Sequence, residues 1–250
     1  MSGVLIVKPL SIAATPTTTG TGQANLLTAD PNEAWIAASA ASLTMDIDLG
    51  AVASIDSFYL GYTNASAAAT WTIASGTGLG TGLTTRKASG LMRPADSEGP
   101  RHHCFARLAA PVTARYWRFT LLQGGATPLY AGALVLGKAF EKFREYGAGR
   151  TPVDTATRED LPGGGFGIGD GVVKSQFAFS FVDLSDAETN QLWLIKKDRG
   201  LTRPVLVVED ADLSEGQNEA IHYGVFERFQ SYERVDPANT RWAGSVIDWA

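Results

Sequence analysis

The chain has one cysteine, three histidines and no long apolar run, and each shortage removes a class of function. Cys104 alone can form no internal disulfide and cannot build a cysteine-rich zinc site, so nothing calls for an oxidising compartment. The apolar stretch Val4 to Val7 gives way to Lys8 and Pro9, well short of the roughly 7–15 residues of a signal-peptide core. An intracellular origin is therefore expected. No run approaches the roughly 18–20 apolar residues that span a bilayer, so membrane insertion is not expected. Charged residues make up 19% of the chain and sum to −5, which argues against a general polyanion binder, and no basic segment interleaved with aromatics forms a recognised module, so sequence-specific nucleic-acid recognition is not expected.

What is present is a 250-residue chain with 44% hydrophobic residues, 27 glycines and 11 prolines. That length can bury roughly 70–75% of its unfolded surface, so a turn-rich globular protein without disulfide staples is expected. Charge divides it. Residues 1–139 hold nine Lys/Arg against seven Asp/Glu, a balance of +2, whereas residues 140–250 hold twelve against nineteen, a balance of −7. Two units, 1–139 and 140–250, follow from that shift, with the boundary near Gly137 to Gly149.

In the first unit, Leu43, Met45, Ile47 and Leu49 alternate with Thr44, Asp46 and Asp48, a strand with one apolar face that Gly50 is expected to end. Residues 55–62, 71–74, 104–108, 112–122 and 130–136 read as further short strands with turn signals between them. The order Asn25 to Pro31, Trp35, Ile47-Asp48-Leu49-Gly50, Ile55, Phe58, Leu60 and Ala114-Arg115-Tyr116-Trp117-Arg118-Phe119 resembles the discoidin, or coagulation-factor C-type, galactose-binding domain. The resemblance covers about residues 20–138 and implies a jelly-roll β-sandwich in which these motifs are core strands. It suggests sugar recognition.

In the second unit, Phe177, Phe179 and Phe181 alternate along a strand, and Ser185 with Glu188 forms a capping-box pattern. A helix over about 186–199 is predicted, buried through Leu192 and Ile195 with Trp193 or Leu194, and stopped by Gly200. Strands are predicted over 204–208, 221–234 and 240–249. This order resembles the helix-flanked β-sandwich of tail-tube and distal-tail proteins of tailed phages, over roughly 140–250. The fold class is thus mainly β, a discoidin-like sandwich followed by a second sandwich with one flanking helix.

Catalytic constellations are sparse. The glycine runs 76–82 and 163–171 match no nucleotide-binding register, and no G-x-S-x-G appears. His102-His103-Cys104 is the dense metal candidate, but on a strand His103 faces away from the other two. Asp46 with Asp48, and Asp210 with Asp212, lack the spacing of a calcium loop and read as solvated carboxylates. No catalysis, metal or cofactor is expected.

Three features remain as candidates. Gly163, Gly164, Gly165, Phe166, Gly167, Ile168 and Gly169 form a loop suited to reach a neighbouring subunit. Arg86, Lys87, Arg93 and Arg101 open a basic segment that continues through Arg107, Arg115 and Arg118 against Asp96 and Glu98. That segment fits an acidic partner, an anionic glycan, or dispersed arginines whose stems cover apolar surface. Tyr62 and Asn64 are candidates for glycan contact, while Trp35 and Trp71 fall at core positions.

The expectation drawn from these resemblances is a structural component of a siphophage tail tip or baseplate. It would self-associate, as a homohexameric ring, join tube, hub and tape-measure proteins, and assemble in the host cytoplasm before residing in the virion tail. The alternative is a carbohydrate-binding module that recognises host surface glycan.

Overall fold

The computed structural model describes residues 3–94, 99–210, 212, 218–229 and 231–249, with side chains at all of these except 228 and 229. The protein is mainly β, with one α-helix among the described residues. It divides into two units, Met1–Glu141 with Leu206–Ile221, and Lys142–Val205 with His222–Ala250.

The chain runs through β1 (Val4–Val7), β2 (Trp35–Ile36), β3 (Leu43–Thr63), β4 (Thr70–Gly76), β5 (Thr84–Leu91), β6 (His102–Leu122), β7 (Tyr130–Ala131), β8 (Ala133–Gly137) and β9 (Ala139–Lys142). It continues as β10 (Gly149–Asp154), β11 (Thr157–Asp160), β12 (Phe166–Gly169), β13 (Val173–Leu184) and α1 (Asp186–Arg199). It ends with β14 (Val205–Val208), β15 (Ile221–Phe229), β16 (Glu233–Arg234) and β17 (Thr240–Asp248).

In the first unit a five-stranded sheet has the order β5-β4-β6-β3-β8, and β2 pairs with β7. The alternation predicted for Leu43 to Leu49 is present, since Met45 and Ile47 have no exposed surface. They pack with Trp35, Phe58, Leu60, Trp71, Trp117 and Phe119 into one core. At about 25 cal/mol per Å² of apolar surface, aromatic side chains of this size are the main source of the unit's stability. Gly50 does not end its strand. At φ +75° it forms an irregularity between the pairs Asp48 with Tyr116 and Ala53 with Ala114, so two expected strands become the single β3. Glycine here permits a bulge that an L side chain would strain.

The unit boundary falls after Glu141, but the first unit also takes in Leu206–Ile221. The strand expected over 204–208 therefore does not belong with the second unit. Its cause is composition: Val4-Leu5-Ile6-Val7 and Val205-Leu206-Val207-Val208 are both apolar on every side chain and fully buried. Such runs suit strands covered on both faces, and they pair antiparallel with Leu5 opposite Val208 and Val7 opposite Leu206.

In the second unit the strand order is β10-β13-β17-β15, with β16 paired to β17. Phe177, Phe179 and Phe181 are buried as the alternation predicts. Helix α1 starts at the capping box, where Ser185 Oγ accepts from Glu188 N and the Glu188 carboxylate accepts from Ser185 N. Leu192 and Ile195 are buried, but Trp193 and Leu194 are about half exposed; Thr189 and Lys196 complete the inward stripe instead. The spacing 189, 192, 195, 196 keeps one helical face inward, which the neighbouring apolar residues cannot do.

The glycine-rich segment is not one loop. Phe166, Gly167, Ile168 and Gly169 form β12 and pair with β11, while Gly163, Gly164 and Gly165 lie at its turn, the last two at φ +79° and +98°. In this ribbon Arg158 pairs with Ile168 and Asp160 with Phe166, so these four side chains share a face, and the Arg158 guanidinium lies 4.4 Å from the centre of the Phe166 ring. Phe166 and Ile168 remain 54% and 74% exposed.

Candidate functional site

The sequence candidates for glycan contact serve the framework. Tyr62 is 5% exposed and adopts φ +54°, and its ring meets His103 edge-on with centroids 4.9 Å apart. Asn64 donates through Nδ2 to Pro128 O at 2.9 Å and accepts through Oδ1 from Tyr130 N at 2.9 Å. Its amide thus ties two loops together and is not offered to a ligand.

The four basic candidates do not gather into one patch. Arg93 donates through Nε to Ala65 O at 2.7 Å and through NH1 to Pro94 O at 2.9 Å. Arg101 donates to Asn32 Oδ1 at 3.2 Å. Lys87 lies opposite Ile73 in β5. Asp96 and Glu98, counted against this segment, lie outside the described residues. Arg86 lines a groove.

That groove belongs to the first unit and has a volume of about 490 Å³. Ser75, Gly76 and Thr77 at the end of β4, Thr84 and Arg86 on β5, Thr113 to Tyr116 on β6, and Val52 enclose it. Thr84 lies opposite Ser75, and the irregularity in β5 between Thr85 and Lys87 falls at Arg86. The Arg86 Nε donates to Ser75 Oγ at 2.8 Å, which fixes the plane of an otherwise exposed guanidinium. Its two terminal nitrogens have no acceptor among the described residues. Arg115 makes a bidentate pair with Asp48 at 2.7 and 2.8 Å, and its guanidinium lies 4.9 Å from the centre of the Tyr116 ring. The hydrogen bonds from Arg115 push the Asp48 carboxyl down to about 2. Arg118 and Asp46 form a second bidentate pair at 2.6 and 2.7 Å. Asp46 and Asp48, expected as solvated carboxylates, are thus each paired with an arginine.

The groove lining carries two guanidinium groups, four side-chain hydroxyls from serine and threonine, one tyrosine ring and no carboxylate. This set can hold an anionic, hydroxyl-bearing ligand: planar guanidinium donors match a carboxylate, hydroxyls serve as donor and acceptor, and the ring offers an apolar face. No linear motif marks it. Its residues come from three strands, and the usable signal was the alternation that turns Tyr116 away from the buried Trp117 and Phe119.

The dense metal candidate is dispersed by packing. Cys104 is fully buried, and burial pushes its thiol up to about 12. His103 Nδ1 lies 2.7 Å from Tyr59 Oη. No cluster of three His, Cys, Asp or Glu side chains suited to a metal occurs among the described residues.

Neither a protein-family model nor a curated protein matches this chain. Solved structures do. A CBM32 module produced by Clostridium perfringens shares 16% identity, with 52% of this chain and 98% of that one covered, at a TM-score of 0.39. The CBM32 of AlyQ, in complex with 4,5-unsaturated mannuronic acid, shares 18% identity over 51% of this chain and 96% of that one, at 0.40. A chitosan-binding module from a chitosanase/glucanase of Paenibacillus sp. IK-5, in complex with chitotriose, shares 20% identity over 52% and 98%, at 0.39. What those modules bind is a property of those modules.

Proposed function

We propose that the chain is a non-catalytic carbohydrate-binding protein whose first unit holds an acidic saccharide of a host surface in the groove between Arg86 and Tyr116. The observation that carries this reading is the pinned Arg86 guanidinium, with open terminal donors, in a hydroxyl-rich groove whose lining includes a tyrosine ring and no carboxylate. The uronate carboxylate meets Arg86, ring hydroxyls meet Ser75, Thr77, Thr84 and Thr113, and one sugar face lies against Tyr116. Titration of full-length protein with oligomannuronate, followed by calorimetry, tests it. Saturable binding is expected, weakened at least tenfold by Arg86→Gln and by Tyr116→Ala with melting temperatures unchanged. Binding that neither substitution affects would overturn it.

A second reading, a self-associating subunit of a phage tail tip, is favoured by the β11–β12 ribbon. A two-stranded ribbon is marginal alone in water, and exposed Phe166 and Ile168 are suited to cover against another copy. Light scattering and negative-stain imaging of the purified protein test it. A ring, dissociated by Phe166→Ser with Ile168→Ser, is the expected outcome; a monomer at high concentration counts against it.

A further inference from the structure

The second unit carries another groove, of about 610 Å³, on the solvent face of β13, β17 and β15. Strand alternation explains it. Phe177, Phe179, Trp242, Val246 and Phe226 point to the core, which leaves Ala178, Ser180, Ala243 and Ser245 as a floor of small side chains on the opposite face. Longer residues rise around that floor: Gln176, Arg241, Glu227, and the rim formed by Glu145 and Tyr146.

The rim is fixed by a hydrogen bond from Glu145 N to Ser180 O at 2.8 Å. Tyr146 stands beside it, fully exposed and followed by Gly147 at φ +101°. The two carboxylates are held alike. Glu145 Oε2 accepts from Ser180 Oγ at 2.9 Å and from Arg241 NH2 at 3.2 Å. Glu227 Oε2 accepts from Ser245 Oγ at 2.9 Å and from Gln176 Nε2. In both, Oε1 has no partner among the described residues, so each carboxylate is oriented by one oxygen and presents the other.

We propose that this groove is a second saccharide site, selective for neutral oligosaccharides. The Oε1 atoms accept hydroxyl protons, Arg241 and Gln176 supply donors, and Tyr146 gives a platform for the C–H face of a pyranose ring. The volume lies within the roughly 300–1,000 Å³ of small-ligand sites. Two glutamates against one arginine disfavour the acidic saccharide assigned to the first unit. This proposal does not depend on the reading of the first unit.

Full-length protein titrated with neutral hexasaccharides, cellohexaose, maltohexaose and mannohexaose, tests it by calorimetry and by saturation-transfer NMR. Saturable binding of at least one of these is expected, lost tenfold or more in Tyr146→Ala and in Glu227→Gln, and retained in Arg86→Gln with Tyr116→Ala. Both altered residues lie on the solvent face, and equal melting temperatures of the variants confirm an intact fold. No saturable binding to any of the three, or binding indifferent to Tyr146 and Glu227, overturns the proposal. Equal loss in the Arg86 and Tyr116 variant would also overturn it, by assigning the signal to the first groove. So would tighter binding of oligomannuronate or an oligolysine peptide at Tyr146.

Discussion

Lys196 occupies a helix position that faces inward, is 1% exposed, and places its ammonium 4.4 Å from the centre of the Trp242 ring and 5.5 Å from that of Phe226. Burial pushes this amine down to about 8. An unfolded lysine titrates near 10.4, so between pH 8 and about 10.4 the unfolded chain binds the extra proton and stability rises with pH. Urea unfolding at pH 7.5, 9 and 10 should show a gain on the order of 2 kcal/mol across the range, absent in Lys196→Met. Asp48 has the same sign in an acid window. Its folded value of about 2 means that its contribution is present above the unfolded value, near 3.9, and is lost as the pH falls toward 2. Asp48→Asn should cost about 1 kcal/mol at pH 7 and flatten acid unfolding over that window. The strand face of Asp48 was legible in the sequence; its partner was not, because Arg115 lies 67 residues away and the pair depends on register. Tyr62 and Asn64 misled for a related reason: residue type suggested sugar contact, whereas burial and internal hydrogen bonds decide what each does.

Helix α1 was legible at both ends because its start and stop are local signals, while its inward stripe was legible only at Leu192 and Ile195. Ser185→Ala should destabilise the second unit by about 1 kcal/mol, read as a lower urea midpoint with unchanged slope. The hairpin formed by β10, β11, β12 and β13 was not legible. Gly167 and Gly169 alternate with Phe166 and Ile168, a strand pattern hidden by its glycines, and pairing across the turn is what makes it regular. The two grooves share this property. Their walls alternate correctly on single strands, but the choice of neighbouring strands creates the site. Replacing Ala243 in the floor of the second groove by Leu should close it to saccharide while leaving the melting temperature within a few degrees, a change that calorimetry would detect.

The division into two units was visible as a shift in charge, yet the chain does not divide at a single point. The first unit leaves off at Glu141 and resumes at Leu206, so a fragment of residues 1–139 lacks β14, which pairs with one edge of β1. Such a fragment should aggregate, whereas the full chain remains soluble, as sedimentation of the two would show. Charge composition marked the boundary because it tracks surface; it was blind to β14, whose four side chains are apolar and face no solvent. Synthesis feels this discontinuity as a delay. Ribosomes add roughly 5–20 residues per second, so the first strand to emerge waits on the order of 10–40 seconds for the one that will lie against it. For that interval the nascent chain leaves one fully apolar strand edge open to pairing with other chains, until Val208 has been made.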